Sequence, residues 1–137
     1  MRIGLVGYGA GGRWFHAPYI DAADGIELAG VVTRSPERIA ELHAERPGMP
    51  TYGSLTDLLA AGVDAVTITT PPQTRRELVL EAIGAGVHIV ADKPFATSAE
   101  NAAELGAAAD AAGVRLSVFH QRRADADIVT LKQVLDA

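Results

Sequence analysis

The sequence predicts an α/β domain, a doubly wound and mostly parallel sheet with helices on both faces. Three observations carry this. Five short runs rich in apolar and β-branched residues recur along the chain, at Arg2–Val6, Ile26–Val32, Asp64–Thr69, His88–Ala91 and Val114–Phe119. Helical segments with recognisable end signals lie between them. A glycine-rich turn follows the first run without a gap. Nearly continuous apolarity suits strands covered on both faces, and strand–helix alternation is the pattern of a parallel sheet.

Each helix is punctuated in turn. Ser35 is a good N-cap with Pro36 in the first helical position, and that helix is expected to run to about Arg46. Ser54 with Asp57 opens a short helix through Leu58 and Leu59. The segment Thr74–Ala85 places Leu78, Val79 and Ile83 at helical spacings before Gly86. Thr97 with Glu100 reads as a capping box for an alanine-rich helix that stops near Gly113. Asp125 or Asp127 caps a last helix containing Ile128, Leu131 and Leu135. Pro18 interrupts the helix after the glycine turn, because it lacks the N–H that would bond to Trp14. A kink or a restart near His16 is expected there.

The turn Gly7-Tyr8-Gly9-Ala10-Gly11-Gly12 fits G-x-G-x-x-G through Gly7, Gly9 and Gly12. After a strand and before a helix, such glycines allow a tight turn, close backbone approach to a pyrophosphate and close helix–strand packing. The helix N-terminus adds unpaired N–H groups and a partial positive charge. The turn therefore predicts a dinucleotide site.

Domains that take NAD usually carry an acid about 20 residues beyond the glycines, where it bonds the adenosine ribose. Here that stretch ends in Thr33, Arg34 and Ser35, with Arg38 one helical turn on and no carboxylate at the strand end. An arginine can hold a 2′-phosphate through charge-assisted hydrogen bonds, which an aspartate would repel. The expected cofactor is NADP(H), with NAD(H) possible. The bland alternative is a solvated loop arginine.

Composition bounds the rest. The 137 residues suit one domain, with 48% apolar and 21% charged residues. A formal net charge of −5 argues against nucleic acid or an anionic membrane as partner. With no cysteine, disulfides and thiolate chemistry are excluded, and a soluble protein of the reducing cytoplasm is expected. No apolar stretch spans a bilayer, no His/Asp/Glu spacing suggests a metal site, and no nucleophile elbow is present.

Several segments in order resemble the N-terminal half of the Gfo/Idh/MocA oxidoreductases. They are R-I-G-L-V-G-Y-G-A-G-G-R-W-F-H-A-P at the start, D-A-V-T-I-T-T-P-P-Q-T-R at 64–75, G-V-H-I-V-A-D-K-P-F at 86–95 and H-Q-R-R-A-D-A-D from His120. The third is similar to the family's E-K-P signature with Asp92 in place of the glutamate. The resemblance implies a Rossmann fold and a two-domain NAD(P)-dependent enzyme acting on sugars, polyols or related compounds, often as an oligomer. Residues 1–120 are then the dinucleotide-binding domain, and 121–137 a terminal helix leading toward a substrate domain that lies outside this sequence.

Lys93 is the catalytic candidate. It follows a strand at the carboxyl edge, where open α/β sheets bind ligands, and can donate to a substrate oxygen. Read from the residues alone, a solvated loop lysine is the simpler account; the resemblance assigns the matching lysine a place beside nicotinamide and substrate. It also implies a cis bond before Pro94, contacts along nicotinamide ribose and pyrophosphate from Thr70, Pro71 and Pro72, and a nicotinamide-side amide at Gln121, where the family commonly has asparagine. Two departures limit the transfer. Arg75 stands near the place of a family histidine, and Ala124 replaces a common aromatic. His16 either packs structurally or faces the pyrophosphate or the substrate side.

The reading is thus the coenzyme domain of an oxidoreductase, with little or no turnover by itself, binding a small-molecule substrate only together with the missing domain. A stand-alone dinucleotide-sensing module would look the same within these residues, and an S-adenosylmethionine site is the remote third. Apolar residues on the last helix predict self-association to a homo-oligomer.

Overall fold

The computed structural model describes residues 1–136. Ala137, the end of the expected 121–137 segment, lies outside the described residues. Six parallel strands form one sheet in the order β3-β2-β1-β4-β5-β6. They are β1 (Arg2–Val6), β2 (Glu27–Val32), β3 (Thr51–Tyr52), β4 (Ala65–Ile68), β5 (His88–Asp92) and β6 (Leu116–Phe119). The helices are α1 (Ala17–Ala22), α2 (Pro36–Glu45), α3 (Leu55–Ala60), α4 (Pro72–Gly84), α5 (Ala99–Ala112) and α6 (Ala126–Leu135). The order reverses between β1 and β4, so their carboxyl ends open a crevice at the centre of one edge.

Two apolar clusters flank the sheet. The larger joins Leu55, Leu58, Val66, Ile68, Val79, Ile89 and Leu105; the smaller joins Leu5, Tyr8, Ile20, Val31 and Leu42. Covering both faces explains the continuously apolar strands. Among the described residues, no helix is long and apolar enough to cross a membrane.

The first helix changes its winding ahead of Pro18 without a break. Gly11–His16 winds as a π-helix, with the Ala17 N–H reaching Gly12 O, before the α-helical turns of α1. Pro18 then falls in the first turn, where no donor is missed. Ser35 and Ser54 cap α2 and α3 as expected, their side chains accepting from Arg38 N and Asp57 N.

Three expectations shift. The alanine-rich helix is capped by Ser98, which accepts from Asn101 N, while Thr97 Oγ1 accepts from the Asn101 side chain. A competent acceptor one residue later displaces the predicted Thr97 cap. Helix α4 starts at Pro72 rather than Thr74, since a proline at the first position suits its fixed φ. Strand β3 has no apolar run to announce it: two residues pair with Val31 and Val32 at the sheet margin.

Candidate coenzyme site

The turn after β1 has the geometry of a phosphate cradle. Gly7 has φ +99°, which side-chain-bearing residues rarely adopt. A Cβ on Gly12 would stand 2.3 Å from Gly7 O, so the helix presses directly against the turn. A Cβ on Gly9 would instead meet nothing closer than the Arg38 guanidinium at 3.9 Å. That side is open, and the first N–H groups of the helix have no partner within it. A diphosphate fits this cradle.

Beside it lies a cleft of about 590 Å³ between the ends of β1 and β2 and the starts of α2, α3 and α4. It gathers Gly7, Thr33, Arg34, Ser35, Arg38, Thr70 and Pro71 on its walls. Thr33 is buried with its N–H on Tyr52 O, whereas Arg34 and Arg38 are exposed. Among the described residues, neither arginine forms an ion pair with a carboxylate. The Thr70 hydroxyl is buried without a hydrogen-bond partner, an orphaned group that a ligand can satisfy.

Sequence reading missed the acids around this cleft. Glu37 accepts from Ser35 Oγ at 2.9 Å, tying up one predicted hydroxyl. Glu77 and Glu81 of α4 line the far wall, and Glu81 accepts from Thr56 Oγ1 at 2.6 Å. Helical spacing from Pro72 would have aligned Glu77 and Glu81 on one face.

Tyr8 turns its side chain away from the cleft. Its side chain is 1% exposed and turns into the smaller core cluster. The hydroxyl donates to Glu45 at 2.7 Å and accepts from Arg46 at 2.9 Å. Arg13 pairs with Glu45 and Glu41, and Arg46 with Asp21, so this network lashes α2 to the glycine turn. Burial, helped by the Glu45 carboxylate, pushes the phenol up to about 12.

A second group of predicted residues assembles at the ends of β5 and β6. Asp92 is in register with Phe119, so Lys93–Pro94 and the 3₁₀ turn Gln121–Ala124 follow the ends of adjacent strands. The Lys93–Pro94 bond is cis. Lys93 is exposed, and its N–H is held by Asp92 Oδ1 at 2.8 Å. His16 is buried here, its ring 4.2 Å from that of Phe119, with Nε2 lacking a hydrogen-bond partner and 3.7 Å from Asp92 Oδ2. Burial lowers the His16 pKa from its ordinary value, and Asp92 opposes the shift.

Residues 1–120 match the oxidoreductase family Gfo/Idh/MocA, NAD-binding Rossmann fold. The chain belongs to this family. It is 40% identical over 136 residues to an uncharacterised oxidoreductase, YdgJ, of Escherichia coli, covering 98% of this chain and 38% of the relative. It is 33% identical to the NADP(+) scyllo-inositol 2-dehydrogenase IolW of Bacillus subtilis, covering 98% of this chain and 37% of that protein. The WlbA dehydrogenase of Bordetella pertussis, solved with NADH and UDP-GlcNAcA, superimposes with a TM-score of 0.89 at 34% identity, over 99% of this chain and 39% of that one. The chain thus spans about two fifths of the length of these relatives and carries the family's NAD-binding domain.

Arg75 is another residue whose place sequence reading missed. Its side chain is 2% exposed, and its guanidinium donates to the carbonyls of Thr70, Asp92 and Pro94. Phe95 O lies 3.4 Å away as a weaker acceptor. Burial lowers the guanidinium pKa, and the Asp92 charge opposes this. In sequence, Arg75 and Arg76 are adjacent cations of one type. Only the helical phase, which puts Arg75 on the face shared with Val79 and Ala82, could have told them apart.

Proposed function

We propose that this chain is the coenzyme half, divided near residue 120 from a substrate domain, of a dehydrogenase that prefers NADP(H) and acts on a sugar, polyol or related secondary alcohol. The observation that carries the preference is the pair Arg34 and Arg38, exposed and without carboxylate partners among the described residues, on the wall of the cleft beside the glycine turn. Two guanidiniums there suit a 2′-phosphate, which a planar fork binds by paired charge-assisted hydrogen bonds. Glu37 engages Ser35 and lies outside the cleft lining.

The nicotinamide, when bound, supplies the hydride acceptor or donor. Lys93 holds or returns the proton of the substrate oxygen at Nζ, Gln121 offers an amide beside it, and Thr70 donates its unpaired hydroxyl to the coenzyme. Orienting the substrate needs a second wall that these elements do not form, so the isolated chain turns over poorly or not at all.

Titration of the chain with NADPH and NADH is the test. NADPH binds tighter, and Arg34→Ala or Arg38→Ala reduces that advantage by roughly tenfold or more, the loss of a charge-assisted hydrogen bond. Equal affinities, or an unchanged ratio in both variants, overturn the preference. Steady turnover by the chain alone on a panel of sugars and polyols with NADP⁺ overturns its incompleteness.

A further inference from the structure

Two loops reach the sheet edge beside the coenzyme cradle, Thr70–Pro71 after β4 and Lys93–Pro94–Phe95 after β5. One guanidinium ties them together. Arg75 stands in the first turns of α4 and spans from Thr70 O on its own loop to Asp92 O and Pro94 O on the other. A buried cation is costly unless its donors are matched. Here the two terminal nitrogens are matched by backbone carbonyls while Nε is left without a partner, and among the described residues no carboxylate forms an ion pair with it. The charge is therefore committed to loop geometry.

Lys93 sits between two of the three clamped carbonyls, so its Cα is fixed from both sides. The clamp's third anchor is the carbonyl of Thr70, whose hydroxyl is the orphaned group of the cleft. The planar fork of arginine presents five N–H donors in fixed directions. An imidazole, with two ring nitrogens, cannot bridge three carbonyls on two loops, and a lysine brings its three N–H donors to one point rather than to a planar fork.

We infer that Arg75 is a positioning residue for the nicotinamide half of the coenzyme site, setting Lys93 and Thr70 at a fixed separation while leaving the adenosine half to other residues. The inference rests on the dinucleotide reading above. Its test compares a ligand that reaches both halves with one that reaches only the first. NADPH and ADP are titrated by calorimetry into the wild-type chain, Arg75→Lys and Arg75→Gln, and the fluorescence of bound NADPH is recorded.

ADP affinity stays within about twofold in both variants, which also shows that the cradle is folded. NADPH affinity falls by roughly tenfold to a hundredfold in Arg75→Gln and by less in Arg75→Lys, and the bound nicotinamide emission moves toward that of free coenzyme. Parallel loss of ADP and NADPH in both variants overturns the inference, since Arg75 would then serve only the fold. Unchanged NADPH affinity overturns it as well. A wild-type chain that binds neither ligand overturns the dinucleotide reading itself, and the inference falls with it.

Discussion

Nε2 of His16 lies 3.7 Å from Oδ2 of Asp92, too far for a hydrogen bond, with the ring of Phe119 4.2 Å from the imidazole. The imidazole is buried and its ordinary pKa of 6.5 is lowered. A histidine with a depressed pKa is neutral in the fold and takes up its proton more readily on unfolding. Stability is complete above pH 6.5 and declines as the pH falls below that value. Thermal melts from pH 7.5 to 5 show this decline in wild type and a shallower one in His16→Gln. Identical slopes would mean that His16 does not titrate differently on folding.

Gly12→Ala and Gly9→Ala separate packing from binding. A methyl on Gly12 strikes Gly7 O, a backbone atom that cannot swing aside, and costs about 1–3 kcal/mol with loss of coenzyme binding. A methyl on Gly9 makes only an ordinary van der Waals contact, with the Arg38 guanidinium at 3.9 Å, so the melting temperature holds while NADPH affinity drops, because the methyl occupies the pyrophosphate's approach. Unimpaired binding by Gly9→Ala would remove the cradle from the site.

Tyr8 ionises late. Its phenol titrates at about 12, so the tyrosinate absorbance of this residue, isolated by subtracting the Tyr8→Phe curve, rises near that pH. A folded-state pKa raised above the unfolded value of 10.0 means that the stabilisation is intact below pH 10 and fades as the pH climbs toward 12. A difference curve centred near 10 would show that the hydroxyl is not held between Glu45 and Arg46.

Helix α6 buries none of its residues, and Val129, Leu131, Val134 and Leu135 are 42–76% exposed. An apolar strip of this kind drives association. Sedimentation finds the chain self-associating as concentration rises, and Leu131→Lys with Val134→Lys returns it to monomer. A wild-type chain that stays monomeric throughout counts against a role for this face.

Much of the site was readable because it is backbone chemistry. Glycines, a strand end and the residues after β2 occupy fixed places in an alternating pattern, so Gly7, Gly12, Arg34 and Arg38 follow from spacing. The sites of Lys93 and Pro94 also follow from a strand end. What spacing hides is the direction of a side chain. Tyr8 turns inward because a hydroxyl can be satisfied by Glu45 and Arg46 from a helix distant in sequence. Arg75 and Arg76 are neighbours with opposite fates, one buried on carbonyls and the other exposed and paired with Glu104. Strand β3 was invisible because two residues carry no period.

The sheet order separates the two groups of candidate residues. The arginines follow β2 on one flank of the glycine turn, and Lys93 and Gln121 follow β5 and β6 on the other, with β1 and β4 between. On the proposed function, coenzyme choice and chemistry reside in different stretches of chain that share no side-chain bond. Exchange of the 33–38 segment, like a cassette, is then expected to retune which dinucleotide is accepted while the reacting end keeps its shape.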